Sequence, residues 1–79
     1  MSARLATMPR SAEMPHERIE RELRARLDSG EWAVGDQLPT LAELAEHYGA
    51  ARGTVARVLR KLADEGLIIV RERWGYFKA

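Results

Sequence analysis

Ile19, Leu23 and Leu27 recur at every fourth position in a segment otherwise dominated by charges. That is the stripe of a helix with one buried face. Pro15 suits the first turn of such a helix, where its missing N–H costs nothing, and Gly30 after Asp28-Ser29 offers a stop. The pattern predicts a first helix over residues 15–29. Glu17–Arg21, Glu20–Arg24 and Glu22–Arg26 stand at i,i+4 in the favourable order, each pair worth about 0.2–0.5 kcal/mol. Residues 30–39 hold two glycines and a proline and form a structured loop, with Trp32, Val34 and Leu38 expected to pack its inner side. Thr40 and Glu43 make a T-x-x-E capping box ahead of a second helix over 40–47, with Leu41, Leu44 and Ala45 inward and Tyr48 at its end. Gly49 turns the chain. Val55, Val58, Leu59 and Leu62 then fall on one face of a third helix over 52–65, which Gly66 terminates. The remainder, LIIVRERWGYFKA, is β-branched and aromatic on either side of Arg73-Trp74-Gly75, the pattern of two short strands and a turn. Residues 1–14 sustain no period and are expected to be a flexible tail, leaving 15–79 as one domain.

Within this order of elements, Ala45, Gly49 and Val55 have a particular spacing. A small residue lets two helices approach, a glycine permits a left-handed backbone between them, and a β-branched residue packs the second helix on the first. These are the requirements of a helix-turn-helix. The expected fold class is therefore α+β, mostly α: a winged helix-turn-helix of three helices and a small β-hairpin wing.

Size and composition narrow the alternatives. A chain of 79 residues is a single small domain, and one of this size buries only about 60% of the surface its unfolded form exposes. The absence of cysteine excludes disulfides and thiolate metal sites. Leu67-Ile68-Ile69-Val70 is too short to span a bilayer, and the N-terminus lacks the apolar stretch of a secretory signal. A cytoplasmic location without membrane association follows by elimination. No nucleophile–base pair, metal cluster or phosphate loop is present, so neither an enzyme, a cofactor nor a metal site is expected. His16 and His47 lack partners at ligand spacing and read as surface residues, and Trp32 reads as loop packing.

The net charge is only +1, but it is unevenly spread. Six arginines and six acids cancel over residues 1–35, residues 36–50 carry three acids alone, and residues 51–79 carry seven cations against three acids. The positive excess thus lies on the third helix and the hairpin, where phosphate contacts would be needed. On the third helix the outward candidates are Arg52, Gly53, Thr54, Arg57, Arg60 and Lys61. Arg52, flanked by the small Ala51 and Gly53, can approach guanine O6 and N7 in bidentate fashion. Thr54 suits a phosphate or a base edge, Arg57 is the second choice for a base, and Arg60 and Lys61 suit the backbone. Thr40, at the start of the bracing helix, joins this set, as do Arg71, Arg73, Trp74 and Gly75 of the wing.

These segments also resemble a known family. ELRARLDSGEWAVGDQLPT is similar to the first helix and the "I-x-x-G-x-[LY]-x-x-G-x-x-LPS" loop of the GntR family of bacterial regulators. LAELAEHYGAARGTVARVLRKLADEGLI resembles that family's "ELAxxxGVSRxTVRxALxxLxxEGLV", and WGYF its wing end "RGTFV". The resemblance runs from Arg18 to Phe77. It implies a winged helix-turn-helix that binds an operator in double-stranded DNA, usually as a homodimer and usually as a repressor. Arg52, Thr54 and Gly75 carry over directly. Ala42 stands where the family has an arginine that touches DNA, Ala51 where a Ser or Thr caps the helix, and Ala56 where a further arginine follows the Thr-Val pair. These departures imply a preferred site different from the usual one, read through Arg52, Thr54, Arg57 and the Arg73-Trp74 wing. The family also implies a C-terminal effector or dimerisation domain, of which these residues hold none. A minimal regulator and a piece of a longer protein both fit. A DNA-bending architectural or excision factor and a winged-helix module for protein–protein contact are the alternative functions.

Overall fold

The computed structural model describes residues 14–79. Apart from Met14, the expected tail lies outside the described residues. The elements follow as α1 (Pro15–Asp28), α2 (Leu41–Tyr48), α3 (Arg52–Asp64), β1 (Ile68–Arg71) and β2 (Gly75–Lys78). Each helix lies within a residue or so of its expected bounds.

The ends of the helices are set by local chemistry. Pro15 opens α1, where the Met14 N–H donates to Glu17 Oε1 at 2.9 Å. The capping box of α2 is reciprocal: the Glu43 N–H donates to Thr40 Oγ1 at 3.1 Å, and the Thr40 N–H donates to Glu43 Oε1 at 2.9 Å. Gly49 ends α2 in the left-handed region at φ +62°, with the Ala50 N–H closing back on the Ala45 carbonyl at 2.9 Å. Ala51 begins α3 without a side-chain cap.

One core serves all the elements. Ile19, Leu23 and Leu27 of α1 meet Leu44, Ala45 and Tyr48 of α2 and Val55, Val58, Leu59 and Leu62 of α3, with Leu38 and Ile68 closing its edges. Trp32, Leu41 and Tyr76 pack against it half-buried, and the Arg26 guanidinium lies 4.6 Å from the Trp32 ring centroid. Val34 departs from expectation. It is 77% exposed, because residues 34–36 run along the surface with their backbone engaged elsewhere.

That engagement is with the hairpin. β1 and β2 pair antiparallel from Ile68↔Lys78 to Arg71↔Gly75. The loop before α2 joins the free edge of β2. Gly35 N–H donates to the Lys78 carbonyl, Lys78 N–H to the Asp36 carbonyl and Leu38 N–H to the Tyr76 carbonyl, each at 2.8 Å. A bridge between Gln37 and Phe77 completes this third, strand-like segment. Two strands alone are marginal in water, so this covering is what makes the wing a fixed part of the domain. At its tip the Trp74 N–H donates to the Arg71 carbonyl at 2.8 Å, and Gly75 follows at φ +113°, the left-handed position that such a connection reserves for glycine.

The ion pairs differ partly from those the helical spacing predicts. Glu20–Arg24 forms at 2.8 Å, but Glu22 meets Arg18 at 3.4 Å rather than Arg26. Arg26 turns beyond the helix end to Glu31, with bidentate bonds of 2.8 and 2.7 Å, and also donates to Tyr48 Oη at 3.1 Å. The loop supplies a better-placed carboxylate than the helix does. Arg24 bridges Glu20 to Glu65 at the far end of α3, at 2.6 Å.

Candidate nucleic-acid interface

The face of α3 opposite its buried stripe carries Gly53, Arg57 and Arg60, related by i,i+4 and i,i+3 spacing and exposed. Arg52 is exposed at the helix start and borders a groove formed with Ala42, Glu43, Ala45, Glu46, Gly49 and Ala50. Thr54 is half-buried on the flank. Because Ala51 offers no side-chain acceptor, the first N–H groups of α3 point outward without a side-chain cap. Small residues at Ala42, Ala51 and Gly53 keep this end of the helix open.

The wing stands beside this face. A groove lined by Ala56, Arg60, Ala63, Asp64, Val70 and Tyr76 runs between α3 and the hairpin. Arg71, Arg73 and Trp74 are exposed around the turn, Trp74 at 70%, and Gly75 is half-buried below them. The Trp74 ring therefore projects from the tip rather than folding onto the hairpin base. Thr40 is exposed at the start of α2 with its oxygen occupied as an acceptor, which leaves its hydroxyl hydrogen to donate.

The charges divide sharply between this face and the body. Arg18, Arg24 and Arg26 of α1 are each paired with carboxylates. Among the described residues, Arg52, Arg57, Arg60, Arg71 and Arg73 have no acidic partner within ion-pair distance. Lys61 belongs with the body, since its Nζ donates to Glu20 at 3.2 Å on the side facing α1. The Arg24 guanidinium holds the Glu20 carboxyl below its ordinary range despite partial desolvation, and Lys61 adds to the effect. Glu65 is lowered first by the same Arg24, and Glu31 by Arg26.

Gln37 was not among the residues singled out by sequence. Its Nε2 donates to the Trp74 carbonyl at 2.6 Å, reaching the wing tip from the loop before α2. With the partners 37 positions apart, no local pattern signals the contact.

The sequence profile described as bacterial regulatory proteins, gntR family, matches residues 15–77, which contain every element of this interface. The chain belongs to the GntR family. Over 75 residues this GntR-family chain is 39% identical to the histidine utilization repressor of Klebsiella aerogenes, a match covering 94% of the chain and 31% of that protein. It is 29% identical over 79 residues to the histidine utilization repressor of Pseudomonas putida, covering 100% of the chain and 32% of that protein. The GntR-family chain thus spans about a third of the length of these curated relatives. Among solved structures it is similar to the DNA-binding domain of AraR in complex with operator ORX1, at a TM-score of 0.81 and 23% identity over 84% of this chain and 80% of that one. PhnF from Mycobacterium smegmatis matches at a TM-score of 0.68 and 34% identity, over 77% of this chain and 26% of that one. The AraR likeness establishes the winged-helix fold. Among the described residues no helix is long and apolar enough to cross a membrane.

Proposed function

We propose that this chain binds double-stranded DNA sequence-specifically and serves as a transcriptional repressor, with α3 in the major groove and the wing beside it. The observation that carries this reading is the division of the arginines. Arg18, Arg24 and Arg26 on α1 are spent on carboxylates, whereas Arg52, Arg57, Arg60, Arg71 and Arg73 present unneutralised charge on adjoining elements. Repression is supported by the names of the two histidine utilization relatives.

Arg52 is assigned to a guanine edge, with Gly53 letting it approach and Thr54 meeting phosphate or base. Arg57 is the second base contact and Arg60 a backbone contact bordering the wing. Thr40 donates to phosphate from the start of α2. Arg71 and Arg73 enter the minor groove or meet phosphates, Trp74 packs on sugar, and Gly75 shapes the turn that presents them. Lys61 takes a minor share, because its charge is already opposed by Glu20. A single module of this kind covers only about 600–1,000 Å² of interface, so two copies on a two-part site are the proposed assembly. The chain acts without catalysis or cofactor, in the cytoplasm.

Selection of bound duplexes from a random pool tests specificity and half-site symmetry together. A gel shift over several salt concentrations accompanies it, and absence of any shift at low salt refutes the reading. Arg52→Ala is expected to abolish sequence preference while retaining weak, salt-sensitive binding, a discrimination of about 1–3 kcal/mol. Equal loss on selected and random duplexes would reassign Arg52 to phosphate.

A further inference from the structure

A hairpin can present side chains to a groove reproducibly only if its tip is held as well as its base. In this wing the backbone bonds from Gly35, Asp36 and Leu38 secure β2 between Tyr76 and Lys78, away from the turn. The turn residues Glu72, Arg73 and Trp74 are all exposed. Among the described residues, the side-chain hydrogen bond that reaches this turn from the body of the domain is the 2.6 Å bond from Gln37 Nε2 to the Trp74 carbonyl. The backbone of Gln37 is itself bridged to Phe77, so the side chain starts from a fixed point. The fit is close: a Cβ on Gly75 would lie 3.1 Å from Gln37 Nε2.

We infer that Gln37 is a positioning residue for the wing, its amide fixing the height of the tip and with it the place where Arg73 and Trp74 meet DNA. The inference rests on the DNA-binding reading above. Gln37 touches no DNA itself. It lowers the conformational freedom that Arg73 would otherwise lose on binding, and so acts through the affinity of the wing while leaving the base preference of α3 alone.

The test uses the full 79-residue chain and the variants Gln37→Ala, Arg73→Ala and the pair combined. Backbone ¹⁵N order parameters are recorded without DNA, and fluorescence anisotropy is recorded on a duplex selected by the parent chain. In free Gln37→Ala the order parameters of Glu72–Gly75 should fall while those of α3 stay unchanged. Binding should weaken about threefold, the low end of what one exposed hydrogen bond contributes. In the Arg73→Ala background the same change should have a smaller further effect, since one of the two contacts it positions is gone. Strictly additive losses, or a shift in base preference, overturn the positioning role. Turn amides as ordered in Gln37→Ala as in the parent overturn it without reference to DNA. If the parent chain binds no duplex, the functional reading fails instead, and the order parameters still decide whether the clamp exists.

Discussion

Ala51→Ser should stabilise the protein, and the size of the gain follows from comparing two helix starts in the same molecule. Thr40 begins α2 at φ −69°, ψ 163°, and its hydroxyl accepts a bond from the Glu43 N–H three residues on. Ala51 begins α3 at φ −68°, ψ 148° and has nothing to offer. The backbone is already in the capping conformation, so a serine hydroxyl can accept from the Thr54 N–H without rearrangement. N-cap substitutions of this kind change stability by about 0.5–2 kcal/mol. The Thr54 N–H already donates to the Ala51 carbonyl at 3.1 Å, so the hydroxyl would share that donor. The expected gain is accordingly in the lower half of the range, about 0.5–1 kcal/mol, or about 2–8 °C in Tm for a domain of this size. Thermal melts followed by circular dichroism at 222 nm measure it, with Thr40→Ala as the reverse control. An unchanged or lower Tm for Ala51→Ser, with a clear loss for Thr40→Ala, would refute the claim that α3 starts with uncapped N–H groups open to an acceptor.

Leu59→Ala removes a side chain with no solvent exposure from the shared core; a loss of about 2–5 kcal/mol is expected in urea unfolding, and a loss under 1 kcal/mol would mean the site collapses around the cavity. Stability should also fall in acid. Glu20, Glu31 and Glu65 are more acidic in the fold than when free, so their pairing contributes above the ordinary value near 4.5 and that contribution disappears as pH falls through the lowered values. The pairs are near the surface, so the effect is modest, and an equal urea midpoint at pH 7 and at about pH 3 would contradict it. Arg73→Ala should weaken binding by a similar factor on every duplex; a change of preferred sequence, read by repeating the random-pool selection, would place Arg73 on a base edge.

The helices were legible because their cues are local. The Ile19-Leu23-Leu27 stripe, the Thr40–Glu43 box and Gly49 each act within a turn or two of chain, and the structure uses each as expected. What sequence spacing misjudged was decided at long range. Val34 has the hydrophobicity of a core residue, yet the loop's backbone pairs with β2 and turns that side chain out. Lys61 is one of a run of cations on α3, and only the packing of α1 brings Glu20, 41 residues earlier, against it. Arg26 is a local exception: Glu31, five residues on in the loop, takes its guanidinium in place of Glu22. The exposed arginines could be named from the periodicity of α3, but which of them keep their charge free depended on the fold.

The pairing of Lys61 with Glu20 has a consequence for how salt should act on the complex. A cation already opposed by its own carboxylate gains less from a phosphate, so Lys61 should displace less counterion from the duplex than an unpaired arginine does. Among the described residues Arg52, Arg57, Arg60, Arg71 and Arg73 have no acidic partner, and these five should contribute about −4.5 to the slope of the logarithm of affinity against the logarithm of salt if each meets one phosphate. Neutralising Lys61 should change that slope less than neutralising any one of the five arginines. On the proposed reading, the ion pairs of α1 should then set one border of the electrostatic footprint, weighting it from the start of α3 toward the wing.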